Sequence, residues 1–300
     1  MADMTAATEN RDSLKGFLFA LSAYFLWGFL PLYMKAVAHI PPTEVIAHRV
    51  LWSIPIAGLV LVALRRVDDL KLAFRTPKML GMATVTAALI SVNWGIYVWA
   101  IGSGHALDTA LGYFINPLFS VFLGAVLLAE KLKPAQMAAL SLVMVAVVIL
   151  TVDAGRLPFV ALSLTLSWGL YAFFRKTLPI GPNQGFLLEV LLLAPFALAY
   201  LVYLGMTGQA HFLGGSTMDN LLLASSGLVT AVPLILYANG AKLLRLSTIG
   251  IMQYIAPTMI FLIAVFLFHE DFSTAKAIAF PLIWLALVIY TLPMLRRRKA

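Results

Sequence analysis

The chain has no cysteine and little charge. Without a thiol there is no disulfide, no Cys-ligated zinc and no thiol chemistry. Charged residues make up 11% of the 300, against about 25% in soluble domains, so the chain has too little charge to cover a soluble surface. Apolar residues take their place, at 62% of the chain. This balance specifies an integral membrane protein. Two-residue alternation of apolar and polar side chains is also missing. A barrel is therefore excluded, and helices are the only spanning element left.

Other absences narrow the class further. There is no lipidation motif. Ala36-Val37-Ala38 imitates a signal-peptidase site, but the apolar run before it is about 20 residues, too long for a typical signal core. It is read as a retained first span. The net charge of +8 would suggest nucleic acid in a soluble protein. Here the basic residues fall in short loops, which is the mark of membrane topology and gives no reason to expect a nucleic-acid partner.

A spanning helix needs about 20 mostly apolar residues. Ten such windows occur, at 16–38, 44–64, 79–101, 107–129, 134–152, 157–175, 184–204, 219–241, 247–269 and 275–294. With spans alternating in direction, 17 of the 21 Lys and Arg fall on the side of the N-terminus and four on the other. That bias makes the N-terminal side cytoplasmic and places both termini there. Between spans two and three, Val67, Leu70 and Phe74 recur at near-helical spacing among basic residues. The stretch fits either an interfacial helix or a plain basic loop.

The sequence repeats itself. LSAYFLWGFLPLYMK at 21–35 is echoed by LSLTLSWGLYAFFRK at 162–176. PPTEVIAHRV at 41–50 aligns with GPNQGFLLEV at 181–190. Pro117 and Glu130 are spaced as Pro257 and Glu270 are. The chain is therefore expected to hold two five-helix halves, 16–152 and 157–294. A cytoplasmic segment, 1–15, precedes them and a basic tail, 295–300, follows. Five is odd, so the second half enters the membrane from the opposite face. Inverted repeats of this kind suit a carrier, because two like halves in opposite orientation give inward-open and outward-open states of similar energy.

With these features, the runs AYFLWG, AHRVLWS, NWGIYVWA, LGYFINPL, RLSTIGIMQYIAPT and FPLIWLA resemble the EamA family of the drug/metabolite transporter superfamily. The resemblance covers almost the whole chain, and LGYFINPL and RLST…QYIAPT are its most specific parts. It implies a ten-helix all-α membrane fold and a bacterial inner-membrane carrier of small metabolites or drug-like solutes, expected to act as an exporter. Its partners would be a small-molecule solute and the lipid bilayer, with no cofactor and no metal. The sequence leaves a homodimer open.

The polar residues inside the spans mark where chemistry could sit, because a buried charge costs roughly 2.5–3.5 kcal/mol on insertion scales. Arg49 lies about 9 Å into the second span, and its planar fork suits a carboxylate or phosphate. Its repeat partner, Glu189, is a proton site or countercharge. If the two are close, a solute anion on Arg49 would free Glu189 to take a proton. His48 points away from Arg49 and reads as a titrating group or a packing histidine. Pro117 and Pro257 are expected to interrupt their helices near mid-span. Around them Tyr113, Asn116 and Ser120 share one face, and Gln253 and Tyr254 lie beside Pro257. Asn93, Trp94 and Tyr97 add a third helix, and Tyr237 and Asn239 a fourth. Aromatic walls with a few amides suit a small amphipathic solute, although buried amides also bridge helices. Trp27 and Trp168 read as packing beside their glycines. Glu44, Asp108 and Ser247-Thr248 read as helix caps. Glu130 and Glu270 read as gate or topology elements compensated by Lys131 and Lys276. The rival classes are an intramembrane enzyme and a non-transporting membrane subunit. His269-Glu270 lacks the second histidine of a zinc site, and Gly102-Ser103-Gly104-His105 lacks an acid.

Overall fold

The computed structural model describes residues 13–127, 132–241, 243–244, 248–249 and 252–296, apart from the side chains at 68, 69, 124, 176, 177, 182, 238, 241 and 293–296. Glu130, Lys131, Ser247, most of the N-terminal segment and most of the basic tail lie outside the described residues. The elements are α1 (Leu14–Ala36), α2 (Pro42–Ala63), α3 (Val67–Arg75), α4 (Pro77–Gly102), α5 (Ala106–Leu127), α6 (Pro134–Ala154), α7 (Phe159–Thr177), α8 (Pro182–Met206), α9 (Thr217–Ala241), α10 (Ile255–Phe266) and α11 (Thr274–Arg296). No strand occurs among the described residues. Eight of these helices are long and apolar enough to cross a membrane. Helices α7 and α10 contribute shorter apolar stretches, Phe159–Arg175 and Ile255–Phe266. The chain is an all-α membrane protein.

The helix starts follow from sequence. Proline takes one of the first positions of α2, α4, α6 and α8, where its missing N–H has no intrahelical partner to lose. Ser13 caps α1, its Oγ accepting the Gly16 N–H at 3.0 Å. Gly155, at φ 63°, stops α6 in the left-handed conformation that glycine adopts without penalty. The basic stretch after α2 is the helix α3, which packs on α4 and α8. Large apolar side chains stand outward all round the bundle: Leu59 is 72% exposed, Phe196 75% and Val152 76%. In water such a belt would be unstable; in a bilayer it faces acyl chains.

The principal pairings run between distant parts of the chain. Helix α1 packs on α9 and α10, and α7 packs on α4 and α5. Helix α2 packs on α8 and α9, α4 on α8, α5 on α10 and α6 on α11. Glycines set the closest approaches. Gly28 of the first Trp-Gly element lies against Met259, two residues beyond Pro257, and Gly169 of the second lies against Phe119, two residues beyond Pro117. Gly227 of α9 meets the backbone of Trp52 in α2, and a Cβ on Gly112 of α5 would lie 2.8 Å from the Ala161 carbonyl oxygen of α7.

Contacts between loops divide the bundle into two ends. At one end Ser13 N–H donates to Leu243 O, and a groove of about 310 Å³ is lined by Arg66, Leu72, Met79, Pro179, Ile180 and Gly181. At the other end His39 meets Asp219, Glu44 meets His211, and Ser273 meets Asp153. These contacts agree with the alternating direction of the spans.

Pro117 lies inside α5, which is helical on both sides of it. The expectation of a mid-span interruption at Pro257 is corrected. Pro257 lies in the first turn of α10, where a proline costs no intrahelical bond, and the break falls before it, at the Gln253-Tyr254 turn. Helix α10 has 12 residues, about 18 Å, and does not by itself cross a core of about 30 Å.

Candidate functional site

Arg49 lies in the third turn of α2, facing the junction with α4 and α9. It is 3% exposed. Its Nε donates to Thr230 Oγ1 of α9 at 2.9 Å, and its guanidinium carbon lies 4.7 Å from the centroid of the Trp94 ring of α4. That geometry is a cation–π contact, strengthened by exclusion of water. Nη1 is buried without a hydrogen-bond partner. The phenols of Tyr33, Tyr97 and Tyr113 are close enough to act on its charge. Tyr97, 3% exposed, has a buried hydroxyl with no partner, and its ring lies 5.9 Å from that of Tyr113. Arg49, Trp94, Tyr97 and Tyr113 are thus brought together.

Asn93 is placed differently. Its Nδ2 donates to Leu164 O at 3.2 Å and Ser167 Oγ at 3.0 Å, and its Oδ1 accepts from Tyr113 Oη at 3.4 Å. It ties α4 to α7 and holds the Tyr113 phenol, so its polar groups are occupied. Asn116 is 6% exposed with Oδ1 unpartnered, while Ser120 Oγ turns back to Asn116 O. Tyr237 belongs to a second aromatic group, with Trp27 at 5.4 Å and Tyr24 at 5.9 Å. Asn239 donates to Ile235 O of its own helix. Gln253 and Tyr254 sit at the turn before α10.

The expected approach of Arg49 and Glu189 does not occur. Glu189, 1% exposed, faces Arg175 of α7, with 3.4 Å between Oε1 and Nε, and its Oε2 accepts from Tyr171 Oη at 3.2 Å. The reason is depth. Arg49 and Glu189 enter from opposite ends, each about 10 Å along helices of about 33 Å and about 37 Å, which leaves more than about 10 Å between them along the bundle. The switch expected between these two charges is therefore withdrawn. Aromatic rings bridge the gap: Tyr113 meets Trp168 at 6.4 Å, and Trp168 meets Tyr171 at 5.6 Å.

His48 faces away from Arg49. Its Nδ1 accepts from Trp52 Nε1 at 3.2 Å, which puts the proton of the neutral ring on Nε2, itself buried and unpartnered. The ring lies 4.9 Å from Phe212 of the α8–α9 connection. Packing accounts for most of its surroundings.

The carboxylates at this end hold loops. Glu44, fully buried, does not cap its own helix. Its Oε1 accepts from His211 N at 2.8 Å and Phe212 N at 3.4 Å, and its Oε2 pairs with His211 Nδ1 at 2.8 Å. This clasp pins Phe212 over His48 and Trp52. Beside it, His39 Nε2 lies 2.8 Å from Asp219 Oδ1. Glu270 accepts the N–H groups of Ala106 at 2.7 Å and Leu107 at 2.8 Å, so it caps α5 from the α10–α11 connection. Backbone donors at a helix N-terminus compensate it; Lys276 pairs with Asp108 at 3.8 Å instead. Thr230, Arg175, Tyr171 and Phe212 were not singled out in the sequence. Only Arg175 carried a signal, and as a basic residue at a helix end it read as topology.

Comparison with known proteins places this geometry. Residues 14–152 match the EamA-like transporter family. "Protein RarD" of Streptomyces exfoliatus is 39% identical over 98% of this chain and 92% of its own. "Uncharacterized transporter YojE" of Bacillus subtilis (strain 168) is 38% identical over 97% of this chain and 98% of its own. A solved crystal structure of a protein 21% identical covers 95% of this chain and 99% of its own, with a TM-score of 0.58, which shows the same fold.

Proposed function

Because the chain belongs to the EamA-like transporter family, we propose that it carries a small metabolite or drug-like solute across the bacterial inner membrane by alternating access, as an exporter with both termini in the cytoplasm. Two inverted five-helix halves, 16–152 and 157–294, form the carrier. The pairing of helices carries this reading. Exchange α1, α2, α4, α5 and α6 for α7, α8, α9, α10 and α11 in turn. The α1–α9 pairing becomes α7–α4, α1–α10 becomes α7–α5 and α2–α9 becomes α8–α4, while α2–α8, α5–α10 and α6–α11 return to themselves. An arrangement that survives this exchange can rock about its centre to a second arrangement of similar energy. The family match also stops at residue 152, where the first half ends.

The solute site is the Arg49, Trp94, Tyr97 and Tyr113 group, closed at one end by the Glu44–His211 and His39–Asp219 contacts. Glu189, held by Arg175 toward the other end, is assigned to proton coupling. Purified protein in proteoliposomes loaded with a bacterial small-molecule extract should release particular solutes faster than protein-free vesicles do. Release that matches protein-free vesicles for every solute would refute transport. Retained release with an unchanged pH-gradient response in Glu189→Gln would remove Glu189 from coupling.

A further inference from the structure

Arg49 is a buried charge whose counter-ion the described residues do not provide. Taking a guanidinium out of water costs several kcal/mol unless an anion or a full set of acceptors meets it. Thr230 Oγ1 meets Nε with a neutral hydroxyl, Trp94 meets one face, and Nη1 meets no acceptor. The buried carboxylates are committed elsewhere. Glu44 is held by His211, Asp219 by His39 and Glu189 by Arg175. Nearer the ends, Glu270 is held by the first N–H groups of α5, and Asp108 by Lys276. Among the described residues, none of these five carboxylates turns to Arg49.

We infer that the solute supplies this missing charge, and that the carrier therefore takes organic monocarboxylates. The inference rests on the transport reading above and names its substrate class. A carboxylate is planar and accepts from the guanidinium fork, and the group holds two buried donors without a partner for it, Arg49 Nη1 and the Tyr97 hydroxyl. Charge counting sets it apart from a phosphate. Arg49 is the one cation in this group of Arg49, Tyr33, Trp94, Tyr97, Tyr113 and Thr230, so a dianion would leave a buried negative charge unmatched. A neutral solute would leave the guanidinium as it stands, uncompensated. The rings of Trp94, Tyr97 and Tyr113 give the body of the solute apolar faces to lie on.

Binding to the purified full-length protein tests this without requiring flux. The probes are acetate, benzoate and indole-3-acetate, each beside its own amide, together with inorganic phosphate, at constant ionic strength. The readout is the saturable rise in thermal midpoint. At least one of the acids should half-saturate at a concentration at least tenfold below its amide, and phosphate should give no comparable rise. Arg49→Lys keeps charge and loses the fork, so it should weaken that acid at least tenfold while leaving the unliganded midpoint near its original value. Thr230→Val, which frees Nε, should weaken it less. Equal binding of acids and amides, stronger binding of phosphate, no saturable rise with any acid, or undiminished binding in a folded Arg49→Lys would each overturn the inference. Flux of neutral solutes alongside equal acid and amide binding would overturn the substrate class and leave the transport reading standing. Selective acid binding with no flux of any solute would do the reverse.

Discussion

Glu189 of α8 faces Arg175 of α7 across 3.4 Å, although its equivalent position in the first half of the chain is Arg49. The pair is local to one half, and it is asymmetrically exposed, with Arg175 at 16% and Glu189 at 1%. Removing the arginine leaves a carboxylate in an apolar site. Arg175→Gln should therefore lower stability, by less than the roughly 3–5 kcal/mol typical of a fully buried broken pair. Adding Glu189→Gln should restore part of the loss, since two neutral amides leave no uncompensated charge. Unfolding in detergent measures both. A double variant less stable than Arg175→Gln by the full cost of Glu189→Gln alone would show that the two groups do not interact.

Glu270 should matter to stability although it lies near no solute site. It accepts two N–H groups at the start of α5, a charge-assisted cap supplied by a distant connection. Glu270→Ala should cost about 1–3 kcal/mol. Glu270→Gln keeps one acceptor and should fall between the two. The thermal midpoints of the three proteins, read without added solute, check the order.

The glycines separate two kinds of close approach. At Gly28 the obstacles are the Met259 sulfur and methyl, which can turn aside, and the Met259 Cβ at 2.8 Å, which can yield only by a small shift between the helices. At Gly227 they are the carbonyl carbon and oxygen of Trp52, backbone atoms that lie closer still. Gly227→Ala should cost about 1–3 kcal/mol as an overpacked contact, and Gly28→Ala less. Equal losses in unfolding measurements would mean that the α2–α9 approach is not set by Gly227.

The sequence was informative wherever a single helix decides the outcome. Apolar length gave the all-α membrane class, and each expected window holds a helix of the structure. The depth of Arg49 along α2 was legible from counting residues. What escaped depends on the partner across space. Glu44 looked like a cap because it stands in the first turn of α2, yet its acceptors serve His211 and Phe212, 167 and 168 residues away in sequence. Asn93 looked like a solute ligand because a buried amide must be satisfied; the partner that satisfies it is on α7. Pro257 looked like a mid-span kink because the apolar window runs through it, whereas the backbone breaks at Gln253-Tyr254 and starts a helix there.

Topology has its own test. With 17 of 21 basic residues on the N-terminal side, a reporter active only in the periplasm, fused after Ala300, should be inactive, and one active only in the cytoplasm should work. The opposite pattern would invert the assignment of the two ends and with it the direction of export.

Alternating access requires that the two ends of the bundle never open together, and the absence of native cysteine makes this directly measurable. His39 and Asp219 meet at 2.8 Å at one end, and Ile180 lines the groove at the other. In a His39→Cys, Asp219→Cys, Ile180→Cys variant, a short bifunctional thiol reagent confined to the periplasmic side should bridge the first two positions and hold that end shut. Labelling of position 180 by a maleimide from the opposite side is then compared with and without the bridge. The account predicts that bridging raises the labelling rate, because states open at the bridged end are removed and those open at the groove gain their population. A rate that is unchanged or reduced by the bridge would contradict it.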